Sequence, residues 1–388
     1  MAAKKKPKIE EKDLEGLKYF KALGSILERL HDVGIERDRA GNRKLYFDHY
    51  AGLLLVYFYN PIVTSLRGIQ QTTELKKVQR IVGCSRASLG SLSEAAQVFD
   101  SARLEEIVAE LSAEVPASAA GVRPEALEGL TAVDGTLLPA LPKMAWALWL
   151  DEKQRAAKMH LVFEVARWAP LKATITEGNG SENNELRGML EPGRLYVMDR
   201  GYAEYALLQE IIDRESSFIC RVRDNAVWRL VEERQLSPEA RAAGVLSDRV
   251  VWLGCAESGA ALRQQLRLVE VATGKHDARG KAEVLLLATD KLELPAELVA
   301  LGYRFRWSVE LFFRWFKCIL GCRHLLSGSR EGLEIQCYVA LIAGLLISVW
   351  TGRKPTKRTF EMVCLYFAGW ADEEELLAHI AQLPPHNE

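Results

Sequence analysis

The chain has 388 residues, of which 48% are hydrophobic and 27% are charged. This composition is typical of a folded globular protein and excludes disordered and fibrous classes, and the length predicts two or three domains because single cores stop growing at roughly 250 to 300 residues. The formal net charge of -1 excludes a uniformly basic protein, so any nucleic-acid surface must arise from local segregation of charge.

The first quarter of the chain has the apolar spacing of helices. The N-terminal sequence MAAKKKPKIEEKD has lysines but no apolar stretch after them, so we expect a solvated arm and no secretory signal. From residue 14 to residue 100 the helical spacing is interrupted at Pro61 and Gly83. We predict an N-terminal helical domain over residues 1–116 that binds DNA.

A helix-turn-helix pattern lies within this helical region. The segment LKKVQRIVGCSRASLGSLSEAAQ predicts a helix, a turn at Gly83 and a second helix with Ser85 as its N-cap. Arg80 and Arg86 would be its phosphate contacts. Plain helical packing is the alternative, because any helical hairpin with a glycine turn has the same pattern.

After a predicted linker at residues 117–124, the pattern changes to short β-rich runs. The segment GNGSENNELRGML after the third run predicts a loop that leads into a short helix. The runs end at Gly, Pro and Asn clusters, which is typical of a mixed α/β domain. The predicted strands are residues 129–133, 159–165, 171–176 and 195–198.

A second β-rich block between residues 217 and 290 is long enough to be an insertion. Helical segments follow, beginning after Pro295 and including YRFRWSVELFFRWFKCIL. The later apolar run of 14 residues at 337–350 is shorter than the roughly 20 that a membrane span needs, so we predict a buried core helix and no membrane contact. The predicted units after the N-terminal domain are a catalytic domain (125–216 and 282–350), a β-rich insertion (217–281) and a helical tail (351–388).

The seven cysteines are irregularly spaced and predict no disulfide framework, which favours a reducing cytoplasm. Cys318, Cys322 and His324 have part of a zinc-site spacing but lack the second ligand pair of structural zinc sites. We expect these cysteines to pack in the core.

Two aspartates follow strand-like runs. Asp134 comes after LTAV and Asp199 comes after LYVM, so we expect each carboxylate at the end of a strand. Metal-assisted phosphoryl transfer requires carboxylates on rigid elements, since two divalent ions about 4 Å apart must be held there. Oxygen ligands favour Mg²⁺ or Mn²⁺. The alternative for an Asp-Gly pair is a turn.

A third acid, Glu310, lies in the aromatic-rich helical segment. At about 100° per residue, one narrow polar stripe runs along a helix otherwise covered by aromatic and aliphatic side chains, so the helix presents that stripe to a polar partner. An amphipathic helix with ion pairs spaced i,i+4 is the alternative. Residues 301–360 also contain ten Lys or Arg against three Glu, a local excess of seven positive charges. The stripe consists of Tyr303, Arg306, Glu310, Arg314 and Lys317.

These residues resemble a known family. The spacing of Tyr303, Arg306, Glu310 and Lys317 is similar to the YREK signature of insertion-sequence-4-type DDE transposases, and VDGT around Asp134 and MDRGY after LYV also resemble that family. The resemblance covers about residues 125 to 350. It implies a ribonuclease-H-like catalytic domain, which is a mixed sheet flanked by helices, with a β-rich insertion before the helix of the glutamate.

The resemblance also implies an activity. Asp134, Asp199 and Glu310 would bind two Mg²⁺ ions, which Mn²⁺ can replace, and the enzyme would cleave transposon ends in double-stranded DNA at terminal inverted repeats. The freed 3′-hydroxyl groups would then attack target DNA. A homodimer bridging two ends, located on the bacterial nucleoid in the cytoplasm, is expected by the same resemblance.

Several further residues are predicted DNA contacts. Tyr303, Arg306 and Lys317 would hold phosphates by the resemblance, and arginine and lysine chemistry suits that role. Trp307 would stack on a displaced base or pack in the core. The remaining predicted contacts are Arg314 and Arg200, and a structural salt bridge is the alternative for Arg200.

Lys158 and His160 alternate along a predicted strand, so both could face the metal site. A hydrogen-bonded core histidine is the alternative for His160. At the level of function, a catalytically inactive DNA-binding relative and a ribonuclease-H-like nuclease or resolvase are the alternatives to a transposase.

Overall fold

A computed structural model describes residues 24–31, 44–117, 125–139, 144–147, 155–254, 262–276, 280, 282–320 and 325–383. These residues contain one nine-stranded mixed sheet of order β3-β2-β1-β4-β5-β9-β8-β7-β6. The strands are β1 (Leu130–Pro139), β2 (Ala156–Glu164), β3 (Ala169–Glu177), β4 (Leu195–Met198), β5 (Ser217–Arg221), β6 (Trp228–Glu233), β7 (Val245–Leu253), β8 (Leu266–His276) and β9 (Ala282–Thr289).

The first five strands form the core of this sheet. β1, β2 and β3 are a continuous antiparallel meander, while β4 and β5 run parallel to β1 on its other side. The predicted ribonuclease-H-like sheet flanked by helices is thereby confirmed. β5 falls within the range 217–281 that we predicted for the insertion, yet it pairs with β4 in the core.

The β-rich insertion extends the same sheet. β9 pairs antiparallel with β5, and β8, β7 and β6 follow in antiparallel order to the edge. The chain therefore leaves the core after β5 and returns beside it through β9.

Helices cover both faces of the sheet and form the N-terminal region. Their buried residues make two hydrophobic clusters, one on each face of the sheet. The helices are α1 (Gly24–Glu28), α2 (Phe47–Tyr59), α3 (Leu66–Thr72), α4 (Lys76–Val82), α5 (Leu89–Val98), α6 (Ala102–Glu114), α7 (Glu182–Met189), α8 (Tyr205–Asp213), α9 (Pro238–Ala242), α10 (Ala296–Arg304), α11 (Trp307–Leu320), α12 (Arg330–Thr351), α13 (Lys357–Phe367) and α14 (Glu373–Ala381).

Side chains of β1 alternate between the two clusters, as expected for a strand buried on both faces. Leu130 and Ala132 belong to the cluster that includes α10, α11, α12 and the N-terminal helices, whereas Val133 belongs to the cluster that includes α7 and α8. In β4, Val197 belongs to the first of these clusters and Met198 belongs to the second. We call these the α11 face and the α7 face of the sheet.

The N-terminal helices pack against the catalytic region through α12. The Tyr59 hydroxyl donates to the Ala343 carbonyl at 2.6 Å, and the Ser112 hydroxyl donates to the Pro170 carbonyl at 2.5 Å. These contacts belong to one hydrophobic cluster that continues onto the sheet. The N-terminal helices are thus joined to the catalytic region by a shared core, while the division into domains stays a prediction, and most of the predicted linker lies outside the described residues.

The helix-turn-helix segment forms as α4, a turn and α5. Gly83 has φ of +77° at the end of α4, a conformation that favours glycine. The predicted N-cap was wrong: Ser88, and not Ser85, accepts the Ser91 amide at the start of α5. Arg86 pairs with Glu74 at 3.0 Å. DNA reading by this unit stays a prediction.

Among the described residues, α12 is the one helix long and apolar enough to span a membrane, but 83% of its apolar window is buried inside the protein. The predicted core helix is therefore confirmed, and it begins earlier than the apolar run because Ser329 caps it. Cys84, Cys220, Cys337 and Cys364 are buried. Cys322, His324 and the side chain of Cys318 lie outside the described residues.

Candidate active site

The two predicted catalytic aspartates lie on neighbouring parallel strands. The register of β1 with β4 pairs Ala132 with Val197, and continuing it by two residues places Asp134 opposite Asp199. Because side chains alternate along a strand, both carboxylates point to the α11 face. Pairing of the two strands stops at Ala132 and Val197, two residues before the aspartates.

One expectation about these aspartates was wrong. Asp199 directly follows β4, as predicted, but Asp134 lies inside β1, which continues to Pro139. The reason is that β1 loses β4 as a partner near Asp134 but keeps β2, with Asp134 paired to Leu161. The site therefore lies where β1 and β4 stop pairing, and not where β1 itself ends.

Asp134 shows how closely the acids converge. Its Oδ1 accepts the Gly135 amide at 2.8 Å. Burial, together with the smaller effect of the negative charges of Asp199 and Glu310, raises the pKa of Asp134 to about 6, although the Gly135 amide and the Arg306 guanidinium act to lower it. The structure therefore brings all three predicted acids within electrostatic reach of one another.

Asp199 is held by its own turn. Its Oδ1 accepts the Gly201 amide at 2.7 Å and caps a short 3-10 turn over Arg200–Tyr202. The hydroxyl of Tyr202 is buried and has no hydrogen-bond partner among the described residues. A buried donor of this kind is normally satisfied by a ligand or by ordered water.

Glu310 is joined to Asp134 by Arg306. The guanidinium donates to Glu310 Oε1 at 2.5 Å and lies 3.7 Å from Asp134 Oδ2. One half-buried guanidinium thus contacts two carboxylates, and the third, that of Asp199, lies within electrostatic reach of Asp134. This excess of negative charge, carried by hard oxygen donors, fits a divalent cation such as Mg²⁺ or Mn²⁺.

The predicted single helix around Glu310 was wrong. α10 ends at Arg304 and α11 begins at Trp307, with a two-residue turn between them. Hydrogen bonds tighten here to i,i+3 spacing, from the Arg306 amide to the Tyr303 carbonyl at 3.0 Å and from the Ser308 amide to the Phe305 carbonyl at 2.9 Å. Arg306 lies in this turn, where its guanidinium pairs with Glu310 and also lies near Asp134.

Three other predicted DNA contacts lie along α10 and α11. Tyr303 is half-buried, and its pKa is raised by burial and, to a smaller extent, by Asp199. Arg314 and Lys317 lie one and two turns after Glu310 on the same side of α11, with Arg314 exposed and Lys317 half-buried.

Trp307 and Arg200 are both exposed. The core alternative for Trp307 was wrong, because 51% of the residue is exposed and the Arg306 guanidinium lies 5.8 Å from its ring centroid. Arg200 borders a cleft of about 640 Å³ beside the Asp199 turn, which Asn183, Arg223 and Asn225 also line. This cleft connects the site to the insertion.

Lys158 and His160 do not face the aspartate carboxylates. Asp134 pairs with Leu161, so the neighbouring side chain of His160 points to the α7 face, and that of Lys158 does the same. His160 Nε2 lies 2.8 Å from Thr176 Oγ1 and the residue is 1% exposed. The hydrogen-bonded core histidine is therefore the correct alternative.

The sequence reasoning missed Glu182, the first residue of α7. Its Oε1 lies 3.1 Å from Lys158 Nζ, and its carboxylate lies beside Gly135 and Gly201. The available signal was the Ser181 N-cap in GNGSENNEL, which fixes where the helix starts.

Comparison with known proteins agrees with this geometry. Residues 125–346 match the family model described as transposase DDE domain. A putative transposase, y4zB, of Sinorhizobium fredii is 28% identical over 222 residues, which cover 57% of this chain and 60% of that protein. A probable transposase for insertion sequence element IS5377 of Geobacillus stearothermophilus is 24% identical over 218 residues, which cover 56% and 55%.

The chain therefore matches less than two thirds of the length of these two relatives. Among solved structures, the cryo-EM structure of a piggyBac transposase synaptic complex with hairpin DNA has a TM-score of 0.45 and 10% identity, covering 96% of this chain and 86% of that one. With more than half of its residues matched by the family model and the three acids brought together on the sheet, the chain belongs to the transposase DDE domain family.

Proposed function

We propose that this protein is a cut-and-paste DNA transposase that cleaves the ends of its element and joins the 3′-hydroxyl ends to target DNA. The observation that carries the proposal is the convergence of Asp134, Asp199 and Glu310 beside Arg306 on one face of the sheet. Family membership and the names of the two relatives support the same reaction.

Asp134, Asp199 and Glu310 would hold the divalent ions, for which we propose two Mg²⁺, with Mn²⁺ as a substitute. Bound cations would activate the attacking oxygen and stabilise the leaving oxygen of the phosphodiester. Arg306 keeps the Glu310 carboxylate turned toward the aspartates through its 2.5 Å hydrogen bond. Its remaining donors suit a phosphate of the bound strand.

The DNA would lie across the α11 face and the cleft beside Arg200. Tyr303, Arg306, Arg314 and Lys317 would contact phosphates, and exposed Trp307 would stack on a displaced base. The substrate would be double-stranded DNA with terminal inverted repeats, followed by target DNA. We further propose that two copies bridge the two ends, and that the protein acts in the cytoplasm on the nucleoid.

The decisive experiment uses duplexes that carry the DNA ends flanking the gene, with Mg²⁺, and follows cleavage and joining on gels. Asp134→Asn, Asp199→Asn and Glu310→Gln should each abolish cleavage and retain DNA binding. Glu374→Gln, an exposed acid on α14, is the control and should cleave like the wild type.

The alternatives predict other outcomes. Binding without cleavage in either Mg²⁺ or Mn²⁺ would show an inactive DNA-binding relative, whereas cleavage without joining of the ends to a target plasmid would show a nuclease. Lys317→Ala should weaken binding and flatten its dependence on salt concentration, because one phosphate contact releases about one counterion.

A further inference from the structure

We propose that Glu182 is a fourth acidic residue of the metal centre, where it strengthens divalent-cation binding on the Asp199 side, and that Lys158 offsets its charge when no cation is bound. This inference rests on the proposed metal-dependent function. Glu182 is not one of the three acids of the site, and it approaches them from the opposite face of the sheet.

The two glycines beside the aspartates provide the geometry. A Cβ on Gly135 would lie 2.9 Å from Glu182 Oε1, and a Cβ on Gly201 would lie 3.7 Å from Glu182 Oε2. The same Gly201 position is 3.0 Å from Asp199 Oδ1. Glu182 Oε2 and Asp199 Oδ1 must therefore lie less than 7 Å apart.

The approach of Glu182 depends on the absence of side chains at these glycines. Gly135 points to the α7 face, where α7 begins, and a larger residue would occupy the space of the Glu182 carboxylate. Beyond Ala132 and Val197 the backbones of β1 and β4 no longer pair. Glu182 therefore approaches the two aspartate-bearing segments, beside Gly135 and Gly201, from the side opposite to α11.

The N-cap of α7 sets the position of Glu182 in the chain, and one ion pair contacts its carboxylate. Ser181 caps α7 by accepting the Asn184 amide, so the first helical residue has a defined position. Lys158 Nζ lies 3.1 Å from Glu182 Oε1, and the two side chains are 16% and 30% exposed. The lysine offsets the glutamate charge, and a cation on the Asp199 side would supply a second positive neighbour.

A third observation points to a ligand in this region. The Tyr202 hydroxyl is buried without a hydrogen-bond partner among the described residues. Its pKa is raised by burial first and then by the charges of Glu182, Asp134 and Asp199, in that order. Bound water or a hydrated ion could accept a hydrogen bond from this buried hydroxyl, which is near three carboxylates.

Glu182 would act as a positioning residue, since outer carboxylates of metal sites orient the ligands and typically change metal affinity by about 10- to 100-fold. The test titrates the full-length protein with Mn²⁺ alone and measures free Mn²⁺ by electron paramagnetic resonance. Glu182→Gln should lower Mn²⁺ affinity at least about tenfold. Glu185→Gln, on the same helix, is the matched control and should bind Mn²⁺ like the wild type.

Two further variants separate electrostatics from folding. Lys158→Met removes the positive charge that competes with a bound cation for Glu182, so it should not lower Mn²⁺ affinity. If the Lys158–Glu182 ion pair were purely structural, Lys158→Met would lose as much affinity as Glu182→Gln. Gly135→Ala leaves the glutamate charge intact but displaces its carboxylate, so affinity should fall while the melting temperature stays close to that of the wild type.

Wild-type affinity in Glu182→Gln, or equal losses in Glu182→Gln and Lys158→Met, would overturn the inference while Asp199→Asn still abolishes Mn²⁺ binding. If Asp199→Asn also leaves Mn²⁺ binding unchanged, the proposed metal site itself fails and the inference fails with it. As a second readout, the Mg²⁺ concentration for half-maximal DNA cleavage should rise in Glu182→Gln, with the rate recovering at high Mg²⁺.

Discussion

The environment of His160 gives a quantitative prediction about stability and pH. The Thr176 hydroxyl donates to the Glu177 carbonyl at 2.9 Å, so it accepts from His160 Nε2 at 2.8 Å. Nε2 therefore carries the proton of the neutral ring. Nδ1 is buried and has no partner among the described residues. A second proton would have to sit on this unpartnered nitrogen.

Burial and the nearby positive charge of Lys158 lower the pKa of His160 to about 4. The unfolded chain binds the proton near pH 6.5, so between pH 6.5 and 4 it holds more protons than the folded protein. The contribution of His160 to the free energy of unfolding therefore has its full value above pH 6.5. It is lost as the pH falls from 6.5 to 4. At pH 4.5 the loss amounts to about 2.5 kcal/mol.

The assay is urea unfolding of the wild type and of His160→Gln between pH 7.5 and 4.5, followed by tryptophan fluorescence. Glutamine keeps a donor for Thr176 but does not titrate, so other titrating groups cancel in the difference between the two proteins. The advantage of the wild type should shrink by about 2.5 kcal/mol over this range. A difference that is independent of pH would refute the assignment of a neutral buried ring.

Three further predictions concern stability and DNA binding. Arg267→Met should lower the free energy of unfolding, measured by chemical denaturation, by about 3 to 5 kcal/mol, since it leaves Asp248 buried without its partner. Adding Asp248→Leu should restore much of this loss. Gly302→Ala should lower stability by about 1 to 3 kcal/mol, because its Cβ would lie 2.7 Å from Ile219 Cδ1, and Ile219→Val should relieve part of it. Trp307→Ala should leave the melting temperature unchanged but weaken binding of DNA ends by about 1 to 3 kcal/mol in fluorescence anisotropy; unchanged binding would remove the stacking role.

Much of the sheet could be predicted because its strands are short apolar runs bounded by turn residues. The positions of β1 to β4, the start of α10 after Pro295 and the order of the three acids all follow from such local patterns. That the insertion adds its strands to the same sheet could not be predicted, because edge-to-edge pairing depends on partners far apart in sequence.

Side-chain direction was harder to predict for a physical reason. A strand that is buried on both faces lacks the polar and apolar alternation that would identify its faces, so Lys158 and His160 could not be assigned to one side. The turn at Phe305 also has no local signal, since every residue around it is compatible with a helix. The break between α10 and α11 is accompanied by a tertiary interaction, the contact of Arg306 with Asp134.

The position of Glu310 relative to the aspartates is set by contacts that do not depend on the length of the insertion. β9 returns beside β5, and Asp290 at its end accepts the Phe218 amide at 2.8 Å. α10 then lies against β5 so closely that a Cβ at position 302 would be 2.7 Å from Ile219 Cδ1. With α10 anchored on the strand next to β4, the two-residue turn delivers α11 and Glu310 to the edge where Asp134 and Asp199 converge. The fold can thus accept a large insertion between the second and third acids, because the chain re-enters the core beside the strand from which it left.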